Sequence, residues 1–207
     1  MLDLNHGRSA PPPSSRGAHR AINALIFVGA CVAFLFVAMI VLFFHRANSL
    51  KPRALRVSGN SMCPAICVNE RVIVAPDAYD KRPPERGEVI LFYREQSRGS
   101  LLKRVIGVGG DTVEPGPGNS ILVNGKGVVL PGACGGPIRA AIETSGTVQF
   151  RKVTVPDNSF FVIGDNLNNS LDSRSEKFGF VRRDQVLGKA MFIYLSDISS
   201  RIGCVIQ

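Results

Sequence analysis

Hydrophobic and polar positions divide the chain into two unequal parts. Residues 21–44 form an apolar run without a charged side chain, and Asn23 is its one strongly polar residue. From Val57 onward the apolar positions fall in short runs that Gly, Pro, Asn and Asp separate. A long apolar run is typical of a membrane-spanning helix, whereas short interrupted runs are typical of β-strands. The pattern therefore predicts one helix followed by a mostly β domain.

The apolar run is longer than that of a cleaved secretory signal. Such signals have an apolar region of about 7 to 15 residues before a cleavage site of small residues. Here Phe44, His45 and Arg46 follow instead, and a helix over residues 21–44 is long enough to cross a hydrocarbon core of about 30 Å. We predict a membrane anchor over residues 21–44.

Two basic segments flank the predicted anchor. Residues 1–20 form a polar, proline-containing tail that is expected to be disordered, and residues 45–56 form a basic linker. The tail has three arginines against one aspartate, and the linker holds Arg46, Lys51, Arg53 and Arg56. The positive-inside rule taken alone favours a cytoplasmic carboxyl domain. The alternative is that the linker contacts lipid headgroups, so charge leaves the orientation open.

The rest of the chain, residues 57–207, predicts one β-rich domain. The expected strands are Arg71–Ala75, Glu88–Tyr93, Leu101–Val108, Ile121–Val123, Val148–Val155, Phe160–Ile163 and Val186–Tyr194. Asn124-Gly125 predicts a two-residue hairpin that leads into Val128–Leu130. Gly188 predicts a bend in the last strand. Within residues 116–146, two glycine-rich segments predict loops or a small insert.

The formal net charge of +9 narrows the classes of partner. The basic residues are spread along the chain, without a dense basic run, interleaved aromatics, a helix-turn-helix or a zinc finger. We therefore expect no nucleic-acid partner. Attraction to an anionic membrane surface explains the charge, and so does simple solubility.

The five cysteines predict no metal site. They form no CxxC pair, and no histidine lies near the four later ones, which are Cys63, Cys67, Cys134 and Cys204. Disulfides among these four are possible outside the cytosol. Buried free thiols are the other reading, and the spacings do not decide between them.

The segment GNSMCPAIC, residues 59–67, holds two kinds of nucleophile, Ser61 and the cysteines Cys63 and Cys67. A reactive cysteine needs a positive neighbour that stabilises its thiolate, and the sequence shows none beside either cysteine. A Ser-His-Asp triad needs an imidazole within reach of the hydroxyl, but the three histidines all precede this segment. Ser61 therefore needs a base other than histidine.

Lys103 is the candidate base. Strand alternation in LLKRVIGV places it on one face with Leu101 and Val105. Burial among apolar side chains disfavours the ammonium form and lowers the pKa of a lysine, so that the neutral amine can accept a proton. The alternative is that Lys103 and Arg104 mark an exposed edge strand, where lysine prevents aggregation.

A third segment, GDNLNNSLDSR at residues 164–174, follows an apolar run and is unusually polar. Polar loops are normally solvated turns, but this density of side chains suits a hydrogen-bonded network that orients a neighbour. The polar positions are Asp165, Asn166, Asn168, Asn169, Ser170, Asp172, Ser173 and Arg174.

Together these segments resemble the type I signal peptidase (leader peptidase) family. Ser61-Met62-Cys63-Pro64 resembles its Ser-Met-x-Pro nucleophile box, and residues 87–92 resemble its Gly-Asp-Val-Val-x-Phe strand. Residues 103–111 resemble its lysine box, and residues 164–174 resemble its last box. All four boxes occur in order behind one apolar span. The resemblance implies a β-rich Ser-Lys protease domain with an apolar face that rests on the membrane.

The same resemblance implies a role for each matching residue. Ser61 is the nucleophile, and its backbone N–H helps to form the oxyanion hole. Lys103 is the general base. Ser170 hydrogen-bonds and orients the lysine amine, while Asp172 and Arg174 form a supporting ion pair. No metal or other cofactor is implied.

Three positions depart from the family's pattern. Gly59 stands where some members have a serine that completes the oxyanion hole, which leaves the second donor open. Leu167 stands where many bacterial members have arginine, and leucine there resembles the mitochondrial inner-membrane branch. Gly109 replaces the usual proline of the lysine box.

The function implied is that of a membrane-anchored endopeptidase that removes N-terminal signal peptides from exported preproteins. Its partners are those preproteins and membrane lipid. The expected location is the bacterial inner membrane with the domain on the extracytoplasmic side, or alternatively the mitochondrial inner membrane. Three other functions stay open: a Ser-Lys peptidase dedicated to one partner such as a conjugative pilin, a self-cleaving repressor, and a non-catalytic binding module. The repressor would need a DNA-binding domain, for which residues 1–20 are too short.

Overall fold

The structure is a computed structural model that describes residues 15–49, 52–97, 99–129, 134 and 150–206. The chain divides into two compact units, residues 1–49 and 50–207. Most of the predicted tail and of the predicted insert lies outside the described residues, and so do residues 148–149 of the fifth predicted strand.

In the described part of the first unit, residues 15–49, the chain forms one helix, α1, at Ser15–Ser49. It includes the predicted span of residues 21–44 and extends beyond both ends. Residues Leu25–Leu42 are long and apolar enough to cross a membrane, and none of that stretch is buried in the chain. The predicted amino-terminal apolar helix is thus confirmed.

Over its described residues the second unit is mostly β, as predicted, and the strands there form two antiparallel sheets. In chain order they are β1 Arg53–Arg56, β2 Arg71–Ala75, β3 Val89–Arg94, β4 Gly99–Val108, β5 Thr112–Pro115, β6 Ile121–Val123, β7 Lys126–Gly127, β8 Val153–Thr154, β9 Ser159–Ile163, β10 Val181–Arg182 and β11 Val186–Leu195. The larger sheet has the order β1-β2-β11-β3-β4-β9-β10, and the smaller has the order β7-β6-β5-β8. Of the predicted site residues, Lys103 lies on a strand of the larger sheet, and the others lie in loops that connect its strands.

The predicted strands agree with these elements to within a few residues, except that the fifth is described only as the two residues of β8. Asn124 and Gly125 have φ of 53° and 76°, as a two-residue hairpin turn requires. The turn is therefore confirmed, but it leads into Lys126–Gly127 instead of Val128–Leu130. The bend at Gly188 is also confirmed, because the register of β11 against β3 shifts between Val186 and Gly188.

Besides β7, which lies before the predicted Val128–Leu130, three strands were not predicted: β1, β5 and β10. The pattern placed β1 in the basic linker because Arg53 and Arg56 interrupt any apolar run. Its register with β2 places Arg53 opposite Val74 and Arg56 opposite Arg71. A short, charged strand of this kind is stabilised by the neighbour with which it pairs, so its own sequence carries little signal.

The alternation along β4 creates two packed faces. Leu102 and Ile106 belong to the core cluster on one face, and Leu101 and Val105 belong to the cluster on the other. This is the alternation that the sequence predicted. Because β4 lies between β3 and β9 and Lys103 is 3% exposed, the reading of Lys103 as an exposed edge residue is wrong.

Candidate active site

Ser61 lies in the loop that connects β1 with β2, which we call the Ser61 loop and define as Val57–Glu70. The loop is closed at its base, where Val57 N donates to Glu70 O and Asn69 N donates to Val57 O, both at 2.8 Å. The buried side chain of Met62 anchors the turn in the core, while Ser61 stays partly exposed. The loop thus presents the hydroxyl from a fixed turn.

Lys103 reaches this hydroxyl from β4. Its Nζ donates to Ser61 Oγ at 2.6 Å. Burial lowers the pKa of Lys103 to about 8, although Asp172 and Asp165 act in the opposite direction. Among the described residues, Lys103 belongs to no ion pair. An amine in this environment is a base near neutral pH and can take the proton of Ser61.

Arg104 is the next residue on β4 and has very different contacts. Its Nε and Nη2 donate to the two carboxylate oxygens of Asp165 at 2.8 and 2.7 Å, and both side chains are 0% exposed. Nη1 also donates to Gly87 O at 2.6 Å. This buried, bidentate pair holds the segment after β9 against β4.

The polar segment at residues 164–174 forms the network that its composition predicted. Asp172 accepts from Gly164 N at 3.0 Å and from Arg174 Nε at 2.8 Å, so the expected ion pair is present. Asn166 ties the segment to the Ser61 loop, because its N donates to Ser61 O at 3.0 Å and its Nδ2 donates to Asn60 O at 3.1 Å.

Ser170 lies beside these groups without completing the network. Its Oγ is buried and has no hydrogen-bond partner among the described residues. The expected bond to Lys103 is therefore not formed in this structure, and the orienting role of Ser170 stays a prediction. Gly164 explains how closely the segments approach, because a Cβ there would clash with Ser170 Oγ and with Ser61 O.

A cleft of about 200 Å³ opens at Ser61. Its apolar lining includes Leu55, Met62 and Leu102, and one wall is β4. Strand β9 begins to pair with β4 only at Arg104, so the edge of β4 before that residue is unpaired with β9. The Ser61 N–H has no hydrogen-bond partner among the described residues, which leaves it available to an oxyanion.

The structure shows that the four later cysteines form disulfides and are not buried free thiols. Cys63 is bonded to Cys67 within the Ser61 loop, and Cys134 is bonded to Cys204. Cys31, on α1, is unpaired. Neither sulfur beside Ser61 is a free thiol, so a cysteine nucleophile in this turn is excluded in this structure.

Two largely buried ion pairs beside the site were not predicted from the sequence: Arg104 with Asp165, described above, and Glu70 with Arg201. Glu70, at the base of the Ser61 loop, accepts a hydrogen bond from Arg201 at 2.5 Å. The two residues are 131 positions apart in the chain. Each lies in a polar stretch without a distinguishing pattern, so no local signal links them.

A partly exposed serine that accepts a hydrogen bond from a buried lysine, on an antiparallel β domain, is the arrangement of the Ser-Lys class of serine peptidases. Comparison with known families agrees. The model of the family described as signal peptidase, peptidase S26, matches residues 28–195. The chain belongs to this family.

Individual relatives are signal peptidases. Probable signal peptidase I-2 of Synechocystis is 35% identical over 140 residues, 65% of this chain and 59% of that protein. Signal peptidase I of Leptolyngbya laminosa is 35% identical over 144 residues, 65% of this chain and 64% of that protein. Signal peptidase I S of Bacillus subtilis is 34% identical over 140 residues, 67% of this chain and 74% of that protein. The chain thus spans less than two thirds of the first two relatives.

Proposed function

We propose that this protein is a membrane-anchored endopeptidase that removes N-terminal signal peptides from exported preproteins. The observation that carries the proposal is the 2.6 Å hydrogen bond between the buried amine of Lys103 and Ser61 Oγ. Membership in the signal peptidase family supports the substrate class.

In the proposed reaction Ser61 Oγ attacks the scissile carbonyl carbon while Lys103 Nζ takes the hydroxyl proton. The Ser61 N–H donates to the oxyanion of the tetrahedral intermediate. Lys103 then gives its proton to the leaving amine, which releases the mature protein and leaves an acyl-enzyme. Water, deprotonated by Lys103, hydrolyses the ester and restores Ser61.

The cleft supports an extended substrate. A peptide that added to the unpaired edge of β4 would make main-chain hydrogen bonds there and place alternate side chains in the apolar lining. Membership in the signal peptidase family supports cleavage after small residues at the first and third positions before the cut. The cleft beside Ser61, about 200 Å³ with an apolar lining, can receive such side chains.

The membrane part of the proposal rests on two features. Helix α1 contains the apolar stretch Leu25–Leu42. The carboxyl-terminal part of the second unit also exposes the apolar side chains of Met191, Phe192, Leu195, Ile198, Ile202 and Val205. Exposed apolar side chains in such number mark surfaces that contact another protein or a membrane, and the apolar helix α1 favours the membrane. We propose that this surface rests on the bilayer.

We place the domain on the extracytoplasmic side of the bacterial inner membrane. Two disulfides support this side, because disulfides persist in oxidising compartments and are rare in the cytosol. Protease added to sealed right-side-out vesicles should therefore degrade the domain. Protection of the domain until the vesicles are opened would contradict this orientation.

The catalytic proposal is tested with the full chain and a preprotein substrate. Ser61→Ala and Lys103→Arg should both lose cleavage, the second because a guanidinium does not deprotonate at accessible pH. Arg182→Ala, which removes an exposed ion pair with Asp184, is the matched control and should cleave like the wild type. Cleavage by Lys103→Arg would refute the lysine base.

A further inference from the structure

Arg201, close to the carboxyl end of the chain, donates hydrogen bonds to three residues of the Ser61 loop. We call these contacts, with Pro64, Ala65 and Glu70, the Arg201 brace. Arg201 ends a 3₁₀ turn at Ser199–Arg201. Its Nη2 donates to Pro64 O at 3.1 Å and to Ala65 O at 2.9 Å, two carbonyls that follow the nucleophile by only a few residues. One guanidinium therefore holds the outgoing half of the turn that carries Ser61.

The same guanidinium is fixed to the base of the loop. Arg201 Nε donates to Glu70 Oε1 at 2.5 Å and Nη2 lies 3.0 Å from Oε2. The Glu70 carboxylate also accepts from Cys67 N at 2.8 Å and from Ser196 Oγ at 2.9 Å. Both side chains are largely buried, Arg201 at 18% and Glu70 at 4% exposed. Burial raises the pKa of Glu70, but its hydrogen bonds prevail and hold it below the usual value.

The segment that carries Arg201 is itself anchored. We call residues 196–206 the C-terminal hook. Gly203 N donates to Ile193 O at 2.7 Å and Ile193 N donates to Cys204 O at 3.0 Å, which joins the hook to β11. The disulfide from Cys134 to Cys204 adds a covalent link. Arg201 therefore acts from a fixed support.

The brace does not line the cleft. Arg201 contacts Pro64, Ala65 and Glu70. The cleft is lined instead by residues between Leu55 and Met62 and by residues of β3 and β4. Arg201 also makes no hydrogen bond with Lys103 or with the segment at residues 164–174 among the described residues. A change at Arg201 should therefore move Ser61 without removing a substrate contact or the base.

We propose that Arg201 is a positioning residue for Ser61, which it holds at hydrogen-bond distance from Lys103 by fixing both the outgoing half and the base of the Ser61 loop. This role rests on the proposed function of Ser61 as nucleophile. Small displacements of a reacting group away from its productive geometry lower catalysis by about 10²-fold. The brace is thus expected to affect the chemical step more than binding.

The test compares Arg201→Ala and Arg201→Lys with the control Arg182→Ala in the full chain, with a preprotein substrate. A serine-reactive acylating probe counts the active sites in each preparation. For Arg201→Ala we expect kcat per titrated site to fall by about 10- to 100-fold, with KM changed by less than about twofold. The pH at which activity is half-maximal should stay where it is in the wild type. Arg201→Lys should recover only part of kcat, because an ammonium lacks the planar fork of donors.

A purely structural role predicts a different result. It would lower the number of titrated sites or the melting temperature but leave kcat per site at the wild-type value, and this would overturn the proposal. If Arg201→Ala does not fold, wild-type kcat per site in Arg201→Lys overturns it equally.

The double variant Glu70→Arg with Arg201→Glu separates the ion pair from the loop contacts. It retains opposite charges but places a carboxylate against Pro64 O and Ala65 O, so kcat should not recover. Recovery would show that only the ion pair matters and would overturn the proposal.

Wild-type kcat per site in Arg201→Ala, with Ser61→Ala inactive, defeats this inference alone. An active Ser61→Ala protein would defeat the proposed function and the inference with it.

Discussion

The two faces of β4 bury adjacent cations in opposite ways. On one face Lys103 belongs to no ion pair among the described residues, and burial lowers its pKa to about 8. On the other face Arg104 forms a bidentate pair with Asp165, and both side chains are fully buried. The difference shows that burial alone does not decide what a cation does. A carboxylate partner makes Arg104 structural, and we propose that Lys103, without an ion pair among the described residues, is able to act as a base.

The largest expected effect on activity comes from replacing Lys103, which has no ion pair among the described residues. Lys103→Met should lower kcat/KM by about 10⁴-fold or more, since the base is lost. It should also raise the free energy of unfolding at pH 7 by up to about 3 kcal/mol, because the pKa of Lys103 lies near 8 in the fold against 10.5 ordinarily. Below pH 8 the fold bears the whole cost of the buried ammonium, and this cost disappears as pH rises to about 10.5. Chemical denaturation at pH 7 and pH 10.5 measures it, and a Lys103→Met protein less stable than the wild type at pH 7 would break the comparison.

The paired cation should behave in the opposite way. Arg104→Met leaves the Asp165 carboxylate buried without its guanidinium, and we expect a loss of about 3 to 5 kcal/mol in the free energy of unfolding. Denaturant melts at neutral pH give the value. Arg182→Ala is the control, since its ion pair is exposed and its loss should leave stability close to that of the wild type. An Arg104→Met protein as stable as the wild type would mean that the buried pair does not stabilise the fold.

The packing around the Lys103–Ser61 contact should tolerate no additional side-chain atom at Gly164. Gly164→Ala introduces a Cβ that clashes with Ser170 Oγ and Ser61 O. We expect kcat to fall by about 10- to 100-fold as Ser61 moves away from Lys103. Gly127→Ala, on β7 and outside the cleft, is the matched control, because a Cβ at Gly127 has no atom within 4 Å. Equal activity of the two variants would show that the close approach at Gly164 is not needed.

The smallest effect is a matter of pH. If the neutral amine of Lys103 is the base, kcat/KM should rise about tenfold per pH unit below the pKa of Lys103 and level off above about 8. Initial rates between pH 6 and pH 10 would show this limb. Arg201→Lys should retain the same midpoint, as it does not touch the amine. A flat pH profile across this range would contradict the proposal that Lys103, unlike Arg104, acts as a base.

Much of this molecule could be predicted from local pattern. The apolar run predicted α1, and short β-rich apolar runs bounded by turn-forming residues predicted β2, β6 and β9. The turn at Asn124-Gly125 followed from the tolerance of both residues for positive φ. Ser61 and Lys103 could be paired by elimination and resemblance, since the chain has no histidine in its later part.

Other features depended on contacts between residues far apart in sequence. Strand β1 forms because β2 offers it hydrogen bonds, and its own charged residues predict a linker. The disulfide between Cys134 and Cys204, 70 positions apart, and the pairing of Glu70 with Arg201, 131 positions apart, follow only from the way distant segments pack together. A sequence pattern reports what a segment buries, whereas a partner more than a hundred residues away is selected by the folded chain. The sequence by itself thus determined the kind of fold and identified Ser61 and Lys103 as the candidate pair, and the tertiary structure decided which charges are paired and how Ser61 is held.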